Sequence, residues 1–284
     1  TVIDSNEFEM LQAYYPNLAI AFDLTGAQPL AWAFPQSRDD SLFQAAESFF
    51  RNAQTNGLLS EVRERFYGHL DQLNYVGAKR FQKQTDKKLA KYDDLFQQAA
   101  DRHDLDWRLL AAMSYQESHW NPRAKSFTGV RGMMMLTRRT AKELGVRNRL
   151  DPKQSIDGGA AYLVKLRKRL PKEIQEPDRT WMALAAYNVG YGHLTDARKL
   201  AKKDGGDNSR WMDVKDYLPL LSQKRYYKQT RHGYARGSEP VTYVQNIRRY
   251  FDVLVWNDNP DLELALETES MQLSADIRVI PPLL

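Results

Sequence analysis

The sequence predicts an α+β protein in which a mostly α-helical domain follows part of an α/β domain. From Tyr92 onward, apolar residues recur at the three- and four-residue spacings of helices almost without interruption. Residues 1–70 instead combine short apolar runs that are typical of strands with two helical stretches. The length of 284 residues also exceeds that of one ordinary domain, roughly 100 to 200 residues.

The predicted strands of residues 1–70 are TVID, NLAIAFDL and LAWAF. Two helices follow: SLFQAAESFFRNAQ, with Asp40 as a possible cap and Asn56-Gly57 as its end, and LLSEVRERFY. These elements are too few to form a sheet that is covered on both faces. We therefore expect residues 1–70 to be the C-terminal part of a larger domain, and the missing initial Met favours an upstream portion that includes any targeting signal.

Three further segments complete the predicted organisation. Residues 71–90 are the predicted basic linker, because residues 77–90 within them are basic and nearly free of apolar residues, as expected for a linker or the start of a solvated helix. Residues 91–257 form the helical domain. Residues 258–284 are an acidic tail that is predicted to wrap the surface or to be poorly ordered.

The helices predicted in residues 91–257 have recognisable ends. They are YDDLFQQAADRH; WRLLAAMSYQES, capped by Asp106 or Asp104; a short helix capped by Thr137 or Thr140 and ended by Gly145; SIDGGAAYLVKLRKRL; TWMALAAYNVG; and SEPVTYVQNIRRYFDVLVW, with Ser238 as cap and Pro240 in its first turn.

Composition excludes several classes of protein. Hydrophobic residues make up 42% and charged residues 27%, which excludes a wholly disordered chain. No apolar run reaches the roughly 18 to 20 residues of a membrane span. The chain has no Cys, and its five His show no ligand spacing, so we expect no metal and no cofactor. Its net charge of +5 suits an anionic partner: nucleic acid, an anionic surface or an acidic cell-wall polymer.

Glu117 is the candidate catalytic residue. It closes an apolar helix that Asn121-Pro122 prevents from continuing. The negative end of the helix dipole and the neighbouring Tyr115 and Trp120 both favour a raised carboxyl pKa. Such a carboxyl can donate a proton at neutral pH, as the protonation of a glycosidic oxygen requires. Taken alone, however, a Glu in this position is more often an ordinary surface residue.

The loop after Glu117 strengthens this interpretation. Ser126 lies nine residues later, and Gly129 and Gly132 permit a tight turn that returns the chain towards the helix end. The motifs here resemble those of the soluble-lytic-transglycosylase (goose-lysozyme-like) family. The resemblance is carried by Glu117-Ser118, Ser126, Gly129 and Gly132-Met133-Met134 (its ES and GLMQ motifs), by Ala186-Tyr187-Asn188 with Gly190 (its AYN motif), and by Glu239, Tyr243-Val244 and Ile247 (its closing helix).

A second resemblance covers the N-terminal segment. VIDSNEF, YYP, LAWAF and DDSLFQAAESFF resemble the last third of the periplasmic solute-binding domains that are associated with amino-acid transporters. A fusion of such a domain to the transglycosylase domain is the architecture of a membrane-bound group within the family. The two resemblances together imply a periplasmic enzyme at the Gram-negative outer membrane, regulated by a muropeptide or an amino acid that binds the N-terminal domain.

For residues 91–257 the resemblance implies a lysozyme-like fold and a reaction that uses one acid. Glu117 would protonate the oxygen between N-acetylmuramic acid and N-acetylglucosamine of peptidoglycan while the N-acetyl group assists at C1. The carboxylate would then take the proton of the muramoyl 6-hydroxyl, which forms a 1,6-anhydro sugar. No cofactor takes part. The implied substrate-binding residues are Ser126, Met134, Met135, Tyr187, Asn188, Glu239 and Tyr243.

Individual roles follow from the same resemblance. Ser126 is expected to orient the N-acetyl group or the developing positive charge, Tyr243 and Asn188 to position the sugar, and Glu239 to organise the site through hydrogen bonds. The chain departs from the family where Met135 replaces Gln and Arg138 replaces Pro. A Gln can hydrogen-bond sugar hydroxyls whereas a Met can only pack, so we expect altered subsite contacts. At least one of the three consecutive Met residues is expected to be core.

Two alternatives remain open from the sequence. The first is a goose-type lysozyme, which would hydrolyse the same bond with water. The second is a non-catalytic glycan-binding protein with a solute-binding regulatory segment. A nucleic-acid partner is not expected, because the basic residues are dispersed and no known binding module is present.

Overall fold

The computed structural model describes residues 2–15, 17–69 and 75–258. Within them the chain forms thirteen α-helices and two short 3-10 helices, and the only β pairing is a pair of isolated bridges, Lys125 with Arg131 and Arg131 with Leu136. The protein is therefore mostly α-helical.

The helices of the described residues are α1 Ser5–Tyr14, α2 Ser41–Thr55, α3 Leu58–Tyr67, α4 Tyr75–Lys88, α5 Asp93–His103, α6 Trp107–Ser118, α7 Arg138–Glu143, α8 Pro152–Arg169, α9 Asp178–Val189, α10 Tyr191–Lys203, α11 Trp211–Lys215, α12 Lys224–Tyr227 and α13 Ser238–Asn257. The 3-10 helices are Leu89–Lys91 and Pro219–Ser222.

The predicted α/β character of the N-terminal segment is wrong for the described residues. Neither NLAIAFDL nor LAWAF forms a strand, and α1 occupies the residues after the first predicted strand. A strand must satisfy its backbone groups against a neighbouring strand, and the described residues offer none. Trp32 is accordingly 62% exposed. The two predicted helices are confirmed as α2 and α3, separated by Asn56 and by Gly57 at φ +79°.

The basic segment 71–90 contains α4. Phe81 of α4 is buried, and its ring contacts those of Tyr115, Trp120 and Tyr250. Phe81 thus docks α4 on the helical core. The division of the chain at this segment stays a prediction, and the acidic tail after Asp258 lies outside the described residues.

Most predicted helix ends in residues 91–257 are confirmed. Asp106 caps α6 by accepting a hydrogen bond from the backbone N–H of Arg108, and Thr137 caps α7 by accepting one from that of Thr140. The predicted cap Ser238 is wrong, because it is the first residue of α13 and Gly237 precedes it as N-cap. A side chain at Gly237 would collide with the carbonyl of Leu218, so only glycine fits there.

The helices α6, α9 and α13 carry the functional part of the core. The helix α13 packs along α6 and α9, and α8 packs on α5 and α9. Their contact faces are fully buried and largely aliphatic, which supplies the hydrophobic stabilisation of the fold; examples are Leu110, Met113, Leu163, Ala183, Val244 and Ile247. This packing brings the C-terminal end of α6 next to the first turns of α13. None of the described helices is both long and apolar enough to cross a membrane.

Candidate active site

Glu117 lies in the last turn of α6, where the helix stops abruptly. His119 adopts a left-handed conformation with φ 53° and donates its backbone N–H to the carbonyl of Tyr115 at 2.8 Å. Trp120 also has φ 53°, and its indole N–H returns to the carbonyl of Ala111 at 2.9 Å. The chain therefore reverses direction immediately after Glu117, and His119 serves as the helix terminator.

The Glu117 carboxyl is half-buried and accepts a hydrogen bond from the Tyr243 hydroxyl at 2.6 Å. Burial raises the pKa of Glu117 from its usual 4.5 to about 7, and the hydrogen bond from Tyr243 lowers it without cancelling that effect. Near neutral pH the group is therefore present in both protonation states. A carboxyl in this condition can act first as an acid and then as a base.

Two tyrosines surround this carboxyl with donors that stay protonated. Burial raises the pKa of Tyr243 and Tyr187 well above the usual phenol value, and the nearby charge of Glu117 adds to the effect in both. The Tyr187 hydroxyl donates to the carbonyl of Met134 at 2.8 Å. Tyr243 thus serves the carboxyl itself, whereas Tyr187 fixes the loop beside it.

The loop between α6 and α7, residues 119–137, carries the three consecutive methionines. This methionine loop is hydrogen-bonded to helices on its inner side. The carbonyl of Met133 accepts hydrogen bonds from the hydroxyls of Ser118 at 2.9 Å and Ser114 at 3.3 Å. The N–H of Met134 donates to the hydroxyl of Ser155 at 3.2 Å. These three serines were not predicted as site residues, although Ser118 stands beside Glu117 in the ES motif. The only sign of these residues in the sequence was that each is a small hydroxyl residue on an apolar face of a predicted helix.

The three methionines divide into two groups. Met133 and Met134 are fully buried, and the side chain of Met134 packs against Gly159 of α8. Met135 is partly exposed and adopts φ 44° at the turn, where its N–H donates to the carbonyl of Gly132 at 3.1 Å. Met135 is therefore the member of the trio whose side chain is available to a ligand.

Ser126 lies on the outer part of the same loop. Its hydroxyl is within 2.8 Å of that of Thr128 and accepts the N–H of Val130 at 3.3 Å. Gly129, at φ +87°, donates its N–H to the carbonyl of Ser126 at 3.1 Å. The predicted tight turn is present, and it leaves Ser126 half-buried.

Arg149 is a loop-holding residue that sequence reasoning missed. Its guanidinium donates to the carbonyl of Gly129 at 3.0 Å and to that of Leu136 at 2.7 Å, so one side chain ties two parts of the loop together. At Gly132, with φ +86°, an added Cβ would lie 1.8 Å from the Arg149 carbonyl oxygen. An Arg preceding a helix carries no sequence signal for this role.

Asn188 and Glu239 are both exposed. Asn188 follows Tyr187 near the end of α9, and Gly190 at φ +92° redirects the chain there. Glu239 lies in the first turn of α13 and pairs with Arg236 at 3.3 Å. Within the described residues, Glu239 makes no hydrogen bond to Glu117 or Tyr243. Its expected role in organising the site through hydrogen bonds is therefore not supported by a contact with either residue. In the same residues no three acidic or histidine side chains group as a metal site.

Comparison with known proteins finds similarity to transglycosylases. Residues 94–209 match the transglycosylase SLT domain model. The chain is 56% identical over 263 residues to membrane-bound lytic murein transglycosylase F of Ectopseudomonas mendocina, covering 93% of this chain and 54% of that protein. Over most of its length, the chain is therefore similar to lytic murein transglycosylases. The protein of the same name from Marinobacter nauticus is 55% identical, with coverages of 91% and 52%.

The chain thus spans about half the length of the curated relatives it matches. Among solved structures it is similar to an inactive mutant of lytic transglycosylase Slt from Pseudomonas aeruginosa, with 20% identity, a TM-score of 0.45 and coverages of 59% and 24%. It is also similar to the 70 kDa soluble lytic transglycosylase of Escherichia coli, with 22% identity, a TM-score of 0.44 and coverages of 62% and 26%.

Proposed function

We propose that this chain is the catalytic part of a peptidoglycan lytic transglycosylase that cleaves the β-1,4 bond between N-acetylmuramic acid and N-acetylglucosamine. One observation carries the proposal. Glu117 combines a pKa of about 7 with a hydrogen bond from Tyr243, and no neighbouring carboxylate contributes to the shift of its pKa.

The first step follows from the protonated form of Glu117. Most glycosidases place a second carboxylate across the bond as a base or nucleophile. The only other acid in the family motifs, Glu239, is exposed and pairs with Arg236. In this chain Glu117 therefore protonates the glycosidic oxygen, while the N-acetyl oxygen of the muramic acid attacks C1 from the opposite side. The bond between C1 and the glycosidic oxygen breaks.

The second step uses Glu117 as a base. Its carboxylate takes the proton of the muramoyl 6-hydroxyl, and the hydroxyl oxygen attacks C1 and displaces the N-acetyl oxygen. The carboxyl regains the proton that it gave up, and no water is consumed. The Tyr243 hydroxyl stabilises the carboxylate between the two steps, because a hydrogen bond to the charged form favours that form.

The remaining predicted residues are proposed to hold the glycan. Ser126 and Asn188 offer partly or fully exposed polar groups beside the loop and at the end of α9. Met135 offers a partly exposed thioether where the family has Gln, so it packs on a sugar face and makes no directional hydrogen bond. Met134 and Tyr187 act through the loop backbone, since Tyr187 holds the Met134 carbonyl. For Glu239 we propose a contact with substrate at the exposed rim.

Mass spectrometry of the products released from purified sacculi tests the function. The transglycosylase reaction leaves 1,6-anhydromuramic acid ends. Hydrolysis, as in a goose-type lysozyme, would leave reducing muramic acid ends, and a binding protein would release nothing. Glu117→Gln should abolish release while it preserves sedimentation with sacculi, and substantial remaining activity in that variant would refute the assignment of Glu117.

The setting of the reaction is also proposed. The relatives are named as membrane-bound, which supports a periplasmic enzyme that is associated with the outer membrane. We propose that a muropeptide or amino acid regulates it through the segment before residue 71. The contact that supports such coupling joins α3 to α13: Glu64 accepts from Arg248 at 3.2 Å and from Lys215 at 2.5 Å. Arg248 lies on the same helix as Tyr243.

A further inference from the structure

A basic and aromatic segment lies between the second 3-10 helix and α13. Residues 224–236 read KRYYKQTRHGYAR and hold five Lys and Arg with no Asp or Glu. Tyr234 is 57% exposed although it is aromatic, and its ring meets that of Tyr227 edge-on at 5.8 Å. An exposed aromatic ring among cations is typical of a binding surface.

The basic-aromatic segment is held in place by buried contacts. His232 donates its backbone N–H to the carboxylate of the buried Asp196 at 2.8 Å, and its ring nitrogen lies 3.0 Å from the same oxygen. Ala235 donates its N–H to the carbonyl of Leu221 at 3.1 Å. The His232 ring packs so closely on Gly192 that an added Cβ would lie 2.6 Å from it. The surface of the segment is therefore fixed relative to α10 and the second 3-10 helix.

The basic-aromatic segment also connects the junction of α9 and α10, close to Asn188, with α13, the helix that carries Tyr243. Gly192, which touches His232, follows Asn188 by four residues at the junction of α9 and α10. At its other end the segment leads through Gly237 into α13, whose residue Tyr243 contacts Glu117. It thus links the Asn188 side of the site to the Tyr243 side.

Most cations of the basic-aromatic segment have no acidic partner. In the part of the chain that the structure describes, Lys224, Arg225, Lys228 and Arg231 form no ion pair and are exposed, although Arg225 lies over the Tyr226 ring at 4.6 Å. The remaining cation, Arg236, pairs with the exposed Glu239. Several unneutralised charges on a fixed surface raise the local concentration of anions.

We propose that residues 224–236 form a subsite for the peptide-bearing part of the glycan strand. The ring of Tyr234 packs on a sugar ring. The cations, chiefly Lys228 and Arg231, bind carboxylates of the peptide stems. This inference rests on the proposed function, because it takes peptidoglycan as the substrate. It adds a preference for strands that still carry their stems.

A pull-down on ice with glycan strands coupled to beads tests the subsite with two forms of strand, one with intact stems and one stripped of stems by an amidase. Tyr234→Ala should weaken binding to both forms about ten-fold, since it removes an aromatic contact, and Tyr234→Phe should restore it. The double variant Lys228→Gln/Arg231→Gln should weaken binding about five-fold to stem-bearing strands alone. Added salt should reproduce the second effect.

The matched control is Arg63→Gln/Lys91→Gln, which removes the same charges from exposed positions on α3 and the first 3-10 helix. It should bind as the unsubstituted chain does. Equal affinity of all variants for both forms of strand, with unfolding curves that show each variant folded, would overturn the proposal. An equal loss on both forms from the double variant would overturn the stem-carboxylate assignment. Failure of the proposed function would appear separately, as an absence of anhydro products from the unsubstituted chain.

Discussion

The hydroxyl of Tyr243 donates a hydrogen bond to the carboxyl of Glu117 at 2.6 Å across a sequence separation of 126 residues. The contact exists because α13 packs along α6 and brings its second turn to the C-terminal end of α6. The same pair sets the protonation of Glu117: burial raises its pKa and Tyr243 restrains the increase.

Replacing Tyr243 with Phe removes the one hydrogen bond that lowers the Glu117 pKa. The pKa should therefore rise above about 7, and the alkaline limb of the pH–rate profile should move to higher pH. The maximal rate should fall about ten-fold, because the carboxylate form loses its donor. Tyr191→Phe is the control, since that hydroxyl is exposed and bonds only the carbonyl of Arg169. An unchanged profile in Tyr243→Phe would exclude this role.

The raised pKa of Glu117 also predicts how stability depends on pH. Between its usual 4.5 and about 7, the folded chain binds more protons at this residue than the unfolded chain, so the free energy of unfolding falls as pH rises through that window. The Glu117→Gln variant has no titrating group at this position, so its free energy of unfolding does not fall in this window. It should be the more stable protein at pH 8, by at most about 3 kcal/mol. Urea denaturation of both proteins at pH 5 and pH 8 measures the difference. A gap that does not widen with pH would contradict the raised pKa.

Gly132→Ala should damage the methionine loop. The residue has φ +86°, and a Cβ there would lie 1.8 Å from the Arg149 carbonyl oxygen. We expect a loss of more than about 2 kcal/mol in unfolding free energy together with most of the activity. Gly205→Ala is a matched control: it has φ +90° but no atom within 4 Å of its added Cβ, so it should cost only about 1 kcal/mol. Equal losses would show that the collision at Gly132 is relieved.

Glu64→Gln tests the contact between α3 and α13. Glu64 is buried and pairs with both Arg248 and Lys215, so its neutralisation leaves the buried Arg248 without its anion. We expect the free energy of unfolding to fall by about 3 kcal/mol and the rate of glycan cleavage to fall with it. The control is Glu61→Gln at the exposed pair with Arg210, which should change stability by less than about 1 kcal/mol. Similar effects of the two changes would remove the support for coupling.

The sequence predicted the helical part well because the evidence for helices is local. Apolar spacing and caps such as Asp106 and Thr137 identified α6 and α7, and their side chains make the expected capping bonds. The strands before residue 41 were wrong because strand formation depends on a partner, which no local pattern reveals. The helix α10 was missed, since only Gly190 separates it from α9.

The site was predicted unevenly for a similar reason. Glu117, Tyr187 and Tyr243 were named through family motifs, and the structure brings them to one loop and one carboxyl. Arg149 and Ser155 support that loop through backbone contacts that depend on how α8 packs. Such contacts depend on three-dimensional packing and leave no pattern in the sequence.

The central claim is that Glu117 closes the anhydro ring without water. Digestion of sacculi in heavy-oxygen water, followed by mass spectrometry of the released muropeptides, tests it most directly. The account predicts products at the anhydro mass with no heavy oxygen at C1, and no products from Glu117→Gln. Reducing muramic acid ends that carry heavy oxygen, formed by the unsubstituted chain and lost in Glu117→Gln, would show hydrolysis at the same residue and contradict the account.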